Sequence, residues 1–189
     1  CDSKNRAVSV DNMVKDLYDA IKFMATKSYV YPTQMYATGF SLGAMTISLA
    51  SSKSEKDDYS ENGKYQLMSG ASVYGGCTFY KRNGDFFAEY LRSDTDEPLL
   101  WLASRNDIEV EHGNNCDSRI ASIKERIPEF DSHYYTDATH CWDCVDKFMN
   151  GFSKIANNGK RVTYRYDAEV TRDSINRTLR HFKKFHTKK

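Results

Sequence analysis

Ser41 stands in Gly39-Phe40-Ser41-Leu42-Gly43, a G-x-S-x-G pentapeptide, and an aspartate and a histidine that could serve it follow later in the chain. A serine hydroxyl is a poor nucleophile until a base takes its proton, and an imidazole does so best when a carboxylate fixes its orientation. For a serine on a strand–turn–helix the expected order along the chain is serine, acid, histidine. His140, in Asp137-Ala138-Thr139-His140, comes a few residues after a late strand and is the candidate base. Asp107 closes Leu99-Leu100-Trp101-Leu102-Ala103-Ser104-Arg105-Asn106-Asp107, where an apolar strand empties into a polar turn, and is the candidate acid. Asp94 and Asp96 precede that strand, at the wrong end for the task, and Asp137 reads as a turn residue. His112, His133, His181 and His186 read as surface or structural histidines.

The pentapeptide needs small residues because the chain turns sharply and holds the serine in a strained backbone conformation. Side chains at both flanking glycines would then collide with neighbouring backbone. Ala44 keeps the start of the next helix slim. The amide of Leu42 would point to where a tetrahedral oxyanion forms, and Phe40 and Trp142 are candidate pocket residues, Trp142 reading equally well as an ordinary core tryptophan.

The elements that must position these groups alternate. Residues 9–27 predict an amphipathic helix, capped by Ser9 or Asp11, with Val10, Met13, Val14, Leu17, Ile21 and Met24 at three- and four-residue steps. A strand at 34–38 leads into the pentapeptide, and a helix follows at about 42–53. A polar surface loop is expected at 53–64, a strand at 66–74, and a variable, partly helical stretch at 79–92. Further on come a buried strand at 98–103, a helix at 114–127, a strand at 132–136, a long excursion at 141–167 and a final helix from about Ala168 to Phe185. This alternation predicts an α/β fold with a mostly parallel sheet of about four strands flanked by helices, one domain over 1–189.

Composition narrows the partners. The 189 residues carry a net charge of +1 with acids and bases interspersed, which argues against nucleic acid or an anionic membrane as partner. No apolar run approaches the roughly 20 residues of a membrane span. Nothing in the sequence indicates an oligomeric state. The five cysteines, at 1, 77, 116, 141 and 144, are an odd count and favour an oxidising compartment, periplasmic or secreted, over the cytoplasm. Cys1 and the polar stretch behind it read as a fragment or a matured form; a bacterial lipoprotein is the thinner alternative.

With these residues in hand, the chain resembles the dienelactone hydrolase family. The likeness runs through the first helix, Gly39 to Ala44, Ser72-Val73-Tyr74-Gly75, Pro98 to Val110, Tyr134 to His140, and the final helix opened by Tyr166-Asp167-Ala168. It implies an α/β-hydrolase fold, action on a small-molecule ester or lactone, and no metal or organic cofactor. Two departures stand out. The best-known members use cysteine as nucleophile where this chain has Ser41. The family fold has about eight strands, so this chain corresponds to its C-terminal part, would expose an edge of the nucleophile strand, and would alone be a poor catalyst.

In the family's strand order Cys77 and Cys116 both come to the rim of the site, which implies a disulfide between them. Cys141-Trp142-Asp143-Cys144 is a C-x-x-C after His140. Zinc would need two further ligands, and thiol-redox chemistry would want the motif opening a helix after an early strand. A local disulfide, or pairing of one of these with Cys1 or a segment outside the chain, fits better. Asn176-Arg177-Thr178 fits a glycosylation sequon, but on a predicted helix it reads as coincidence. Two rivals to an ester hydrolase are a non-catalytic binding protein on the same scaffold and a thiol oxidoreductase using Cys141 and Cys144.

Overall fold

The first helix shows how the layers assemble. In the computed structural model, which describes residues 9–80, 86–110, 114–146, 148, 150–156 and 159–186, α1 spans Val10–Ala25 and buries Val10, Val14, Tyr18 and Ile21 along one stripe. Ser9 caps it, accepting the Asn12 amide at 3.1 Å. The buried stripe lies against α2 (Leu42–Ala50), whose residues from Ala44 to Ala50 are all buried, as befits a helix packed on several sides.

Beneath these helices lies a parallel sheet in the order β1 (Tyr36–Phe40), β2 (Ser69–Val73), β5 (Leu99–Ser104), β6 (Asp131–Tyr135). β2 and β5 are central and buried along their whole length, because helices cover both faces. Their side chains alternate between two cores. Leu99, Trp101 and Ala103 join α1, α2 and α4 (Asn114–Arg126) in the larger one. Leu100, Leu102, Ala71 and Val73 meet Trp142 and the partly buried Val170 and Phe182 of α5 (Ala168–Phe185) in the other. Along β1 only one edge is paired among the described residues. An apolar groove of about 200 Å³, lined by Thr38, Phe40, Val73, Ser174, Ile175, Thr178 and Leu179, runs between that strand and α5.

Two expectations need correction. Residues 53–59 are not loop but a short helix, α3 (Lys53–Tyr59). All its side chains keep some exposure, so it carries no apolar stripe to read, and Tyr59 stacks on Tyr18 at 5.9 Å. The stretch expected to be partly helical instead holds an antiparallel pair, β3 (Thr78–Tyr80) with β4 (Phe86–Glu89). Residues 81–85 between them, like Cys1 and His112, lie outside the described residues. The excursion at 141–167 folds back as a second small pair, β7 (Ser153–Ile155) with β8 (Arg161–Thr163).

His181, on the buried face of α5, is 2% exposed. Neither of its ring nitrogens has a hydrogen-bond partner among the described residues. Burial, with Lys184 adding to it against the opposing pull of Asp131, pushes its pKa down to about 4. Unfolding restores the ordinary value near 6.5, so the unfolded chain binds more protons between those limits. The stabilising contribution is therefore whole above pH ~6.5 and lost as pH falls towards ~4, on the order of 3 kcal/mol in all. Urea unfolding at pH 7 and pH 4.5 is expected to show a steeper loss for the native chain than for His181→Leu. Parallel pH profiles for the two would contradict this placement.

Candidate active site

The turn after β1 holds its serine in a rare backbone conformation. Ser41 has φ 52° and ψ −112°, a left-handed conformation that L residues rarely adopt. It is held there from both sides: its amide donates to the Val73 carbonyl at 3.1 Å, and its own carbonyl accepts from Met45 at 3.1 Å. A Cβ on Gly39 would sit 2.0 Å from the Gly43 carbonyl oxygen, so glycine is obligatory at that position. Gly43 differs from expectation, since a Cβ there meets nothing within 4 Å. Gly43 meets the strand through its carbonyl, beside Gly39, while its own Cβ direction points into open space. The second close approach comes instead from Gly75, where a Cβ would lie 2.7 Å from the Ala44 methyl.

Asp107 sits in a turn off β5. Ser104 anchors that turn, donating through Oγ to the Ala138 carbonyl at 2.6 Å and accepting the Asn106 amide at 3.2 Å. The turn is thereby tied to the segment that carries His140. One oxygen of Asp107 accepts the amides of Glu109 and Val110, at 3.1 and 3.4 Å. The other lies 2.7 Å from His140 Nδ1. The Nε2 atom of the same imidazole lies 2.8 Å from Ser41 Oγ. Asp107 and His140 are 2% and 3% exposed, so water hardly competes for these bonds. The structure thus brings Ser41, His140 and Asp107 into one hydrogen-bonded line. Asp94 accepts the Ser54 amide, Asp96 pairs with Lys56, and Asp137 is exposed.

Leu42 heads α2, where first-turn amides have no acceptor within the helix. Phe40 is half exposed and belongs to the groove beside β1. Trp142 is not a pocket wall: it is fully buried, edge-on to Tyr74 and Tyr135, with its indole N–H donating to Ser174 Oγ at 3.4 Å.

Around the imidazole stand groups that sequence reasoning did not single out. Tyr74, at φ 45°, presents its ring 5.0 Å from that of His140 and donates its hydroxyl to Asp143 at 2.7 Å. Burial first, and that hydrogen bond second, push its pKa up, so it stays a donor. The Tyr164 ring also lies 5.6 Å from that of His140, and its hydroxyl donates to Glu109 Oε2 at 2.5 Å. Glu109 also takes an ion pair from Lys154 at 2.5 Å. Burial would raise the Glu109 carboxyl, but His140, Lys154 and Tyr164 together hold it below the ordinary range.

Two disulfides occur among the described residues. Cys77–Cys116 joins the segment after β2 to α4, with both cysteines fully buried. Cys141–Cys144 closes a small loop directly after His140, which leaves neither sulfur a thiolate for zinc.

No protein-family model and no curated protein matches this sequence. Solved structures do resemble it. An alpha/beta hydrolase enzyme from a Medee basin deep-sea metagenome library superposes with a TM-score of 0.64 at 17% identity, over 96% of this chain and 67% of that one. A dienelactone hydrolase-like promiscuous phosphotriesterase from metagenomic libraries gives 0.60 at 15%, over 93% of this chain and 61% of that one. A thermophilic esterase from Thermogutta terrifontis gives 0.58 at 13%, over 98% and 70%. At such identities the likeness shows the fold, that of the α/β-hydrolases. The chain spans about three fifths to two thirds of the length of the first two of these structures.

The two motif glycines make opposite predictions. Gly39→Ala is expected to cost about 3 kcal/mol or more, because strand and helix backbone must separate to admit a methyl group. Gly43→Ala is expected to be neutral, or stabilising by up to about 1 kcal/mol, since alanine suits a helix better and meets open space. Urea midpoints of the two variants decide the matter; equal destabilisation would contradict this geometry.

Proposed function

We propose that this chain carries the catalytic triad of a serine hydrolase, resembling the dienelactone hydrolase family, which cleaves carboxylic ester or lactone bonds of small molecules. The observation that supports this most is the unbroken line Asp107–His140–Ser41, with both links under 3 Å and both ends of the imidazole engaged. The α/β-hydrolase fold supports it further, since the serine ends the first strand of the sheet and the acid and base leave later strands in the required order.

In this reading Ser41 Oγ attacks the carbonyl carbon while its proton passes to His140 Nε2. Asp107 holds the Nδ1–H tautomer and stabilises the imidazolium that forms. The oxyanion faces the Leu42 amide at the head of α2. As the carbon–oxygen bond to the alcohol breaks, the imidazolium returns its proton to the leaving oxygen. Water, activated by the same imidazole, then releases the acid and frees Ser41. No cofactor enters this scheme. The two disulfides favour an oxidising compartment, periplasmic or secreted.

Labelling by a fluorophosphonate probe, mapped by peptide mass spectrometry, tests the assignment. The adduct is expected on Ser41 and absent in Ser41→Ala. Asp107→Asn should label about 10³- to 10⁴-fold more slowly while folding normally, because the wrong imidazole tautomer faces the serine. An unreactive native protein, or an adduct on another residue, would count against the assignment.

A further inference from the structure

The turn that supplies Asp107 supplies a second carboxylate to the same imidazole. Asp107 accepts the Glu109 amide, and this local bond turns the chain so that Glu109 reaches the opposite edge of the ring. Its Oε2 lies 3.9 Å from His140 Nε2, the nitrogen that also faces Ser41 Oγ at 2.8 Å. The separation is too long for a hydrogen bond but well within the range where unit charges act strongly on each other, in a site with little water. Two further groups hold the carboxylate in place. Tyr164, from beyond β8, donates to the oxygen nearest the histidine, and Lys154 of β7 pairs with the other.

This arrangement deepens the hydrolase reading and rests on it. We infer that Glu109 is a positioning residue that acts through His140, its charge stabilising the imidazolium that forms as the Ser41 proton arrives at Nε2. Asp107 alone would compensate only the Nδ1 side of the cation. A neutral imidazole gains nothing comparable from Glu109, so the interaction strengthens as the transition state develops, which is the condition for it to raise a rate. Among the described residues, Asp107 stands at Nδ1, Ser41 and Glu109 at Nε2, and Tyr74 and Tyr164 beside the ring, with Asp143 behind Tyr74 and Lys154 behind Glu109. Both tyrosines stay neutral because burial pushes them up. Lys154 is the opposing charge, but it pairs with the Glu109 oxygen other than the one nearest His140 and is 39% exposed, so it offsets the carboxylate only in part.

The test is the pH dependence of fluorophosphonate labelling at Ser41 in the native chain, Glu109→Gln and Lys154→Met. Glutamine keeps the shape and can still accept from Tyr164, but lacks the charge. It is expected to move the acid limb of the profile down by about one pH unit and to lower the plateau rate about three- to tenfold. Lys154→Met removes the offsetting charge at a partly exposed position and is expected to move the limb the other way. A purely structural role would change the unfolding midpoint without moving the limb in either direction. Superimposable profiles for Glu109→Gln and the native chain, with Ser41 labelled in both, would overturn the inference and leave the triad standing. Should Glu109→Gln not fold, an unmoved limb in Lys154→Met would overturn it equally. A native chain that does not label at Ser41 refutes the underlying triad, and this inference with it.

Discussion

One buried imidazole holds the upper rim of this fold together. His140 is nearly sealed from solvent and has both ring nitrogens engaged, one with Asp107 and the other with Ser41. The three residues come from turns that follow three different strands, and Ser41 and His140 are 99 positions apart in sequence. Removing the imidazole would leave Asp107 buried with only backbone amides for partners, a costly state for a carboxylate. The hydrogen-bonded line therefore serves the structure as well as any chemistry, and the strained Ser41 backbone is affordable only because its surroundings hold it firmly.

Parallel strand order makes that convergence possible. Because β1, β2, β5 and β6 all run the same way, the turns after β1, β5 and β6 emerge at one edge. Small residues then set the distances. Gly39 lets the strand pass close to the start of α2, and Gly75 lets the turn after β2 press against Ala44. Ser104 links the turn bearing Asp107 to the Ala138 carbonyl, two residues before His140, so acid and base move together. Tyr74 and Tyr164 then pack against the ring.

Much of this was legible in the sequence because it depends on local signals. The amphipathic stripe of α1 follows from periodicity and β5 from its apolar run, and the G-x-S-x-G pentapeptide marks its own strand-to-helix turn. The rest depends on contacts between distant residues or on segments without apolar rhythm. α3 carries charge on nearly every residue, and β3 is only three residues long, so neither projects a pattern. Glu109 and Tyr164 are separated by 55 positions, and their meeting depends on the excursion after His140 folding back as a small antiparallel pair. Trp142 read equally well as pocket or core, and only packing against Tyr74 and Tyr135 assigns it to the core.

The proposed chemistry requires Ser41, His140 and the head of α2 to act on one reacting centre. A crystal structure of the fluorophosphonate adduct addresses this most directly. The expected result is phosphorus bonded to Ser41 Oγ, a phosphoryl oxygen about 3 Å from the Leu42 amide, and His140 Nε2 facing the site of the departed group. A phosphoryl oxygen turned away from α2, or an imidazole that has left Ser41 for another partner, would contradict it.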